Sequence, residues 1–370
     1  MKYVEYQFDE VVTLFDKQRI PLSSMERSKR QGPYRYYGAQ GIIDYIDDYI
    51  FDGEYILLAE DGENLKSNKQ DLAQLVDGKF WVNNHAHILR TKEVCRLHYF
   101  YYWINSKNMA EYVTGSAQPK LSQGSLKKMI IPLPALEIQD RILSVISPID
   151  EKIKENAKVN DNLQEQAFAL YSKMIIDNAD DTWTPGVLSD IAEITMGQSP
   201  KGDTYNEDGV GTVFFQGRAE FGFRFPTRRL CTTEPKRMAQ TNDALMSVRA
   251  PVGDMNVAYE DCCIGRGLAA IHSKDNHQSY VLYTMFNLRE QLNVFNGEGT
   301  VFGSINKDSL NAMPINIPPT NVIDAFEEIV APMDEAIRNN YEEICHLTNI
   351  RDSLLPRLMS GEIDVAELDI

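Results

Sequence analysis

Ser125-Leu126-Lys127-Lys128-Met129-Ile130-Ile131-Pro132-Leu133-Pro134 and Ser309-Leu310-Asn311-Ala312-Met313-Pro314-Ile315-Asn316-Ile317-Pro318 open two matching segments of one chain. Further on, Pro148-Ile149-Asp150-Glu151-Lys152-Ile153 matches Pro332-Met333-Asp334-Glu335-Ala336-Ile337. Between 125–175 and 309–359 the offset stays at 184 with no gap, and 13 of 51 positions are identical. Ordinary composition would give roughly 3, so chance is a poor explanation. The other identities include Asp140/Asp324, Asn156/Asn340, Leu163/Leu347 and Leu170/Leu354. A repeat of this length marks a structural unit used twice. Each half reads as a globular block followed by a helix, which suits binding at two places a fixed distance apart.

The helical part of the repeat has its own pattern. Ile146, Ile149, Ile153, Asn156, Asn160, Leu163, Ala167, Leu170 and Met174 follow alternating spacings of 3 and 4, the heptad period at which helices wrap round each other. Val330, Met333, Ile337, Asn340, Ile344, Leu347, Arg351, Leu354 and Leu358 form the second seam. Two seams in one chain most simply pack on each other in antiparallel fashion, although each could also seat on a partner. Asn156 and Asn340 are either tolerated polar residues or a register-setting pair expected near the crossing point. Pro148 and Pro332 either begin new helices or kink longer ones.

The blocks read as mixed α/β. Gln40–Ile46 and Tyr55–Leu58 are strand-like in the first, with a buried helix starting in His98–Trp103. Val213–Phe215, Ala244–Val248 and Val257–Tyr259 are strand-like in the second, with a helix over Tyr280–Phe295. The expected divisions are a block over 1–134, a helix over 135–180, a block over 181–317, and a helix with tail over 318–370.

Composition narrows the class. Across 370 residues the hydrophobic content is 43% and the aromatic content 10%, values of a folded protein with room for two domains. No apolar run reaches membrane-spanning length, and Met1–Val12 lacks a signal-peptide pattern. Five cysteines without CxxC spacing read as reduced thiols, and the expected location is cytoplasmic. The net charge of −17 argues at first against nucleic acid, but its distribution is uneven. Residues 135–182 carry 5 basic and 10 acidic side chains, and 318–370 carry 3 and 12. The block 1–134 has 17 of each sign. Locally, 16–37 holds 6 basic against 2 acidic residues, and 214–251 holds 7 against 3. The acid lies on the connecting segments, and each block keeps a basic stretch that could meet phosphates.

Motifs for catalysis are missing. There is no GxxxxGK[ST] phosphate loop, and Ile317-Pro318-Pro319-Thr320 lacks the polar and aromatic ends of an amino-methyltransferase signature. Asp150-Glu151-Lys152 lies on the helix and reads as surface charge. His85, His87 and His98 lack a partner set for zinc. Gly265-Arg266-Gly267 is too short for a nucleotide fingerprint. The chain is expected to bind rather than react, with no metal or cofactor of its own.

In this context several words carry a family resemblance. Tyr37-Gly38-Ala39-Gln40-Gly41-Ile42-Ile43-Asp44-Tyr45-Ile46, Phe51-Asp52-Gly53-Glu54-Tyr55-Ile56-Leu57 and Gly115-Ser116-Ala117-Gln118-Pro119-Lys120-Leu121-Ser122 occur in the first half. Met196-Gly197-Gln198-Ser199-Pro200, Phe215-Gln216-Gly217, Ser247-Val248-Arg249-Ala250-Pro251-Val252-Gly253 and Ile264-Gly265-Arg266-Gly267-Leu268 occur in the second. With Leu354–Ile363 at the end, the chain resembles the specificity subunit of type I restriction–modification enzymes. The resemblance implies an α+β fold of two mixed α/β target recognition domains. Each is followed by a long helix, the helices forming an antiparallel coiled coil with pseudo-two-fold symmetry. It also implies a non-catalytic subunit that reads an interrupted double-stranded DNA target. Two modification subunits carrying S-adenosylmethionine would dock on it, with restriction subunits using ATP and Mg outside these. The halves diverge upstream of about residue 97, which implies an asymmetric target. An adaptor that scaffolds proteins without DNA is the competing expectation.

A DNA-reading surface needs phosphate anchors and base readers. In the first block Arg27, Ser28, Lys29, Arg30, Tyr34, Arg35 and Tyr36 interleave charge with aromatic rings. Lys66, Asn68 and Lys69 form a second polar loop, and Gln118 and Lys120 a third. In the second block the candidates are Gln198, Lys201, Gln216, Arg218, Arg224 and Arg249, with Arg266 open to a structural role in its Gly-rich turn. A rod of about 30–40 residues spans roughly 45–60 Å. One DNA turn is about 34 Å, so half-sites about one turn apart are expected.

Overall fold

A computed structural model describes residues 2–62, 64–67, 70–115, 119–180, 183–297 and 303–367. Contacts divide the chain into two compact units, one of residues 1–155 and 343–370, the other of residues 156–342.

Among the described residues the first unit contains three sheets. Tyr3–Gln7 pairs antiparallel with Ile130–Pro134, with Tyr6 opposite Ile131. A four-stranded antiparallel sheet has the order Val12–Leu14, Ala86–Thr91, Tyr55–Ala59, Ala73–Val76. A mixed sheet has the order Ile42–Ile46, Gln31–Tyr37, Lys79–Val82, Phe51–Asp52, its second and third strands running parallel. The helix Leu97–Asn105 buries Tyr99, Phe100 and Trp103 against the core around Ile56, Leu58 and Leu89. A sequence as aromatic as LHYFYYWIN has no other low-energy place to go, because each ring removes a large apolar area from water.

The second unit repeats this plan with one further edge strand, Tyr205–Asn206, on the mixed sheet. Thr184–Val187 pairs antiparallel with Pro314–Ile317. The antiparallel sheet runs Ala192–Met196, Leu268–Ser273, Ala244–Ser247, Met255–Val257. The mixed sheet runs Tyr205–Asn206, Leu230–Thr232, Thr212–Phe215, Cys262–Ile264, Met238–Ala239, with Phe214 parallel to Cys263. The strand expected at Val257–Tyr259 lies at Met255–Val257, because Tyr259 leaves the sheet to pack on Phe225 and Tyr341. The helix over Gln278–Asn287 is buried from Ser279 to Met285.

Each block is followed by a long helix, Leu136–Tyr171 with a π-helical extension over Ser172–Ile176, and Thr320–Ser360. Pro148 and Pro332 both lie inside these helices, so neither begins a new one. No seam residue is exposed, and Ile146, Asn156, Ile337 and Leu358 are buried. Ile149, Ile153, Leu163, Leu170, Met333, Leu347 and Leu354 are half-buried. In the second unit Asn340 donates to Asn160 Oδ1 at 2.8 Å, and Asn160 donates to the Ile337 carbonyl at 3.2 Å. The observed amide pair is therefore Asn340 with Asn160, one turn along from Asn156.

The repeated acids fasten each block to its own helix. Asp140 receives Arg96 at 2.7 Å and Asp324 lies 2.8 Å from His277, in each case the residue just before the block helix. Asp150 accepts from the Tyr102 hydroxyl and from Arg351 at 3.0 Å. Asp334 accepts from the Tyr283 hydroxyl at 3.0 Å and from Arg224. Among the described residues no helix is long and apolar enough to cross a membrane.

Candidate nucleic-acid interface

In the first unit most of the basic stretch is committed to the fold. Ser23 caps the helix Ser24–Ser28 and exchanges hydrogen bonds with Glu26, fixing the turn that carries Arg27. Arg27 bonds Asp44 at 2.9 Å and the Leu22 carbonyl at 2.8 Å, with its guanidinium 5.1 Å from the Tyr36 ring. Arg30 pairs with Asp47 at 2.9 Å and lies over Trp81. Arg35 donates to the Asp77 carbonyl and lies over Tyr37, while Ser28 donates to the Met25 carbonyl. Tyr36 is fully buried with its hydroxyl on Leu22, so it is a core residue and not a reader. Tyr34 packs on Tyr49, whose ring also carries Lys79, a cation that sequence reasoning missed. Among the described residues Lys29 is exposed and its side chain has no partner. Lys66 is exposed on a short helix. Asn68, Lys69 and Gln118 lie outside the described residues.

The loop that ends in Lys120 is anchored from beneath. Leu121 donates to the Glu60 carbonyl at 2.8 Å, and the Leu121 carbonyl lies 2.7 Å from His87 Nε2. His87 is buried, with Nδ1 2.6 Å from Asp16, and Gln123 also donates to Asp16. Burial pushes the Asp16 carboxyl up, but hydrogen bonds and charge from His87, with bonds from Ile88 and Gln123, outweigh it and hold it below its ordinary value. Asp16, Glu60 and His87 gather their ligand atoms within 4.8 Å of one another. Arg19 at 2.7 Å and Lys120 at 3.2 Å already meet Glu60, so the cluster's charge is balanced by side chains. His85 and His98 pair with Asp61 and Glu54 at 2.7 and 2.6 Å.

The second unit presents a shallow cleft of about 390 Å³ lined by Gln216, Arg218, Glu220, Arg229, Arg249 and Arg266, among others. Three loops form its floor by approaching backbone to backbone. A Cβ on Gly197 would stand 2.1 Å from the Gly265 carbonyl oxygen, and one on Gly267 2.7 Å from the Gln216 carbonyl oxygen. Gly197 donates to Leu268 at 2.9 Å and Gly265 to Phe215 at 2.8 Å, closing the floor. Glycine is needed here because nothing larger fits, and the packing sets Gln216 beside the Gly265-Arg266-Gly267 turn. Arg218 pairs with Asp254, and Arg229 with Glu220. Among the described residues the Arg249 and Arg266 side chains are exposed and have no hydrogen bond or ion pair. Unpaired guanidiniums in a cleft suit phosphates or the edge of guanine. Gln198 and Lys201 are exposed but do not line this cleft.

Arg224 is a buried residue and not a surface reader. Its side chain is 3% exposed, bonded to Asp334 and to Gln164, and lies over Tyr283 and Phe286. It belongs to the attachment of the block to its helix. Arg229 and Glu220 went unnamed in the sequence. The only signal available was the local excess of arginine, which does not say which residues converge.

The sequence model of the type I restriction modification DNA specificity domain matches residues 1–165 and, a second time, residues 180–343. The chain belongs to this family and carries its domain twice. It is 32% identical over 281 residues to a putative type I restriction enzyme MjaX specificity subunit of Methanocaldococcus jannaschii, covering 70% of this chain and 65% of that one. It is 33% identical over 141 residues to a putative type I restriction enzyme specificity subunit, S.HindORF215P, of Haemophilus influenzae, covering 38% and 36%. The matched parts thus span less than two thirds of these two relatives. A crystal structure of the type I restriction–modification system S subunit from M. genitalium shares the fold, with a TM-score of 0.64 at 16% identity over 97% of this chain and 96% of that one.

Proposed function

We propose that this chain is the specificity subunit of a type I restriction–modification system and reads an interrupted, asymmetric target in double-stranded DNA. The observation that carries this is the doubled family domain, with one topology and two differently built faces. Blocks 1–134 and 181–317 are assigned to reading, and segments 135–180 and 318–370 to spacing and docking. The spacing helices are inferred to pack as an antiparallel coiled coil. Arg351 on Asp150 in one unit and Asn340 on Asn160 in the other support that pairing. Two modification subunits would dock on the acidic helices and supply S-adenosylmethionine chemistry. Restriction subunits would add ATP- and Mg-dependent steps in the cytoplasm. In this proposal the chain itself catalyses nothing.

Co-expression with a modification subunit, followed by mapping of methylated adenines, tests the proposal. Two unlike half-sites separated by unread bases are expected. A continuous or palindromic motif would contradict it, as would the absence of methylation together with DNA affinity that ignores salt.

A further inference from the structure

Among the described residues Glu220 is the one carboxylate in the wall of a cleft otherwise lined by arginines, glutamine and small residues. It ends the short turn Arg218–Glu220 and is only 8% exposed. Its backbone carbonyl is held by Thr227 N–H at 2.8 Å, so the residue is not free to swing out. Both bonds from Arg229 go to Oε1, from Nε at 3.1 Å and from Nη2 at 2.5 Å. Oε2 is buried and has no partner among the described residues. A buried acceptor left unpaired is costly, and such atoms are rare enough to call for a reason.

We propose that Glu220 is a specificity-determining residue whose carboxylate accepts the exocyclic amino group of one cytosine or adenine in the second domain's half-site. This rests on the DNA-reading function proposed above. A carboxylate can only accept hydrogen bonds and repels phosphate, so it has no use as a backbone anchor. In the major groove the donors it can meet are the N4 amino group of cytosine and the N6 amino group of adenine. Arg229 is half exposed at 53%, so it can turn to a backbone phosphate and uncover the carboxylate without disturbing the core. Arg249 and Arg266 supply the surrounding positive field that brings DNA into the cleft.

The test uses the complex of the full chain with its modification subunit and duplexes carrying the mapped target. Each cytosine in the second half-site is replaced in turn by 2-pyrimidinone, and each adenine by purine, removing only the amino group. On the wild type, one such replacement is expected to weaken binding roughly ten- to a hundredfold, and its identity says whether the base is cytosine or adenine. The same replacement should change binding by less than about twofold in Glu220→Ala, and by an intermediate factor in Glu220→Gln, which keeps one acceptor. Arg229→Ala, which leaves the carboxylate in place, should preserve the sensitivity. If every replacement acts equally on the wild type and Glu220→Ala, the free oxygen faces only a buried water and the inference fails. Uniform loss of binding at all positions, with a lowered unfolding midpoint, would make Glu220 a structural brace and also overturn it. A wild-type complex that discriminates no duplex would sink the functional proposal itself.

Discussion

In the first half, Asp150 on the long helix holds Tyr102 and Arg351. In the second, its equivalent Asp334 holds Tyr283 and Arg224. The acid and a tyrosine of the block helix are retained, while the arginine comes from the long helix in one half and from the block in the other. Each antiparallel sheet also carries a histidine 2.6 Å from an aspartate, His87 with Asp16 and His272 with Asp243, with opposite electrostatic outcomes. Burial, only partly opposed by Gln240 N–H and His272, holds the Asp243 carboxyl above its ordinary value, whereas Asp16 is held below. The reading faces differ most. Arg27, Arg30 and Arg35 are engaged by the fold, while Arg249 and Arg266 stand open in a cleft. The attachment of block to helix is thus the constant part, and the face is where the halves part company.

The largest expected effect separates the two attachments. Asp334→Ala leaves Arg224 buried without its carboxylate and should cost about 3–5 kcal/mol in denaturant unfolding. Asp150→Ala strands a buried tyrosine hydroxyl, but Arg351 is 27% exposed and keeps Asp352, so about 1–3 kcal/mol is expected. Equal losses would break the distinction.

Next comes the contrast between faces. Arg249→Ala and Arg266→Ala should each weaken DNA binding by the assembled complex roughly tenfold, and each should lower the salt slope by about one unit. Arg27→Ala and Arg30→Ala should change that slope by less than about half a unit. A larger slope change at Arg27 than at Arg249 would reverse the assignment of anchors.

The two carboxylate–histidine pairs give a smaller contrast, in pH. Asp16 is depressed, so its stabilisation is present above its ordinary value of 3.8 and lost as pH falls through the folded value. Asp243 is raised, so its contribution is present below 3.8 and lost as pH rises through the folded value. Unfolding measured from pH 3 to 7 should show Asp16→Asn destabilising at pH 7 and less so at pH 3. Asp243→Asn should cost less at pH 7 than at pH 3. The same pH trend in both variants would refute the contrast.

The smallest effect concerns the seam. Asn340→Leu leaves Asn160 without its donor and should cost about 1 kcal/mol. The Asn160→Leu, Asn340→Leu double variant should recover that loss or exceed the wild type in unfolding experiments. A double variant worse than either single one would show that the amide pair contributes more than register.

Much of the scaffold was legible in the chain, because seam spacing, repeat offset and buried aromatic helices are local patterns. The repeated sheet order was not, since topology depends on which strands pair and not on residue identity. Arg224 could not be placed because its partner Asp334 is 110 residues away and a buried arginine reads the same as an exposed one. Tyr36 misled for the same reason, with its hydroxyl satisfied by Leu22. The cleft was half legible. The glycine words marked its floor, but convergence of Glu220 and Arg229 with Arg249 needs three segments folded together.

In the proposed function two independent readers share one chain. Methylated-adenine maps of the complex carrying wild type and a Gln216→Ala, Arg249→Ala variant test it most directly. An interrupted motif with one half relaxed and the other intact is the predicted result. Relaxation of both halves together, or a motif with no unread gap, would contradict it.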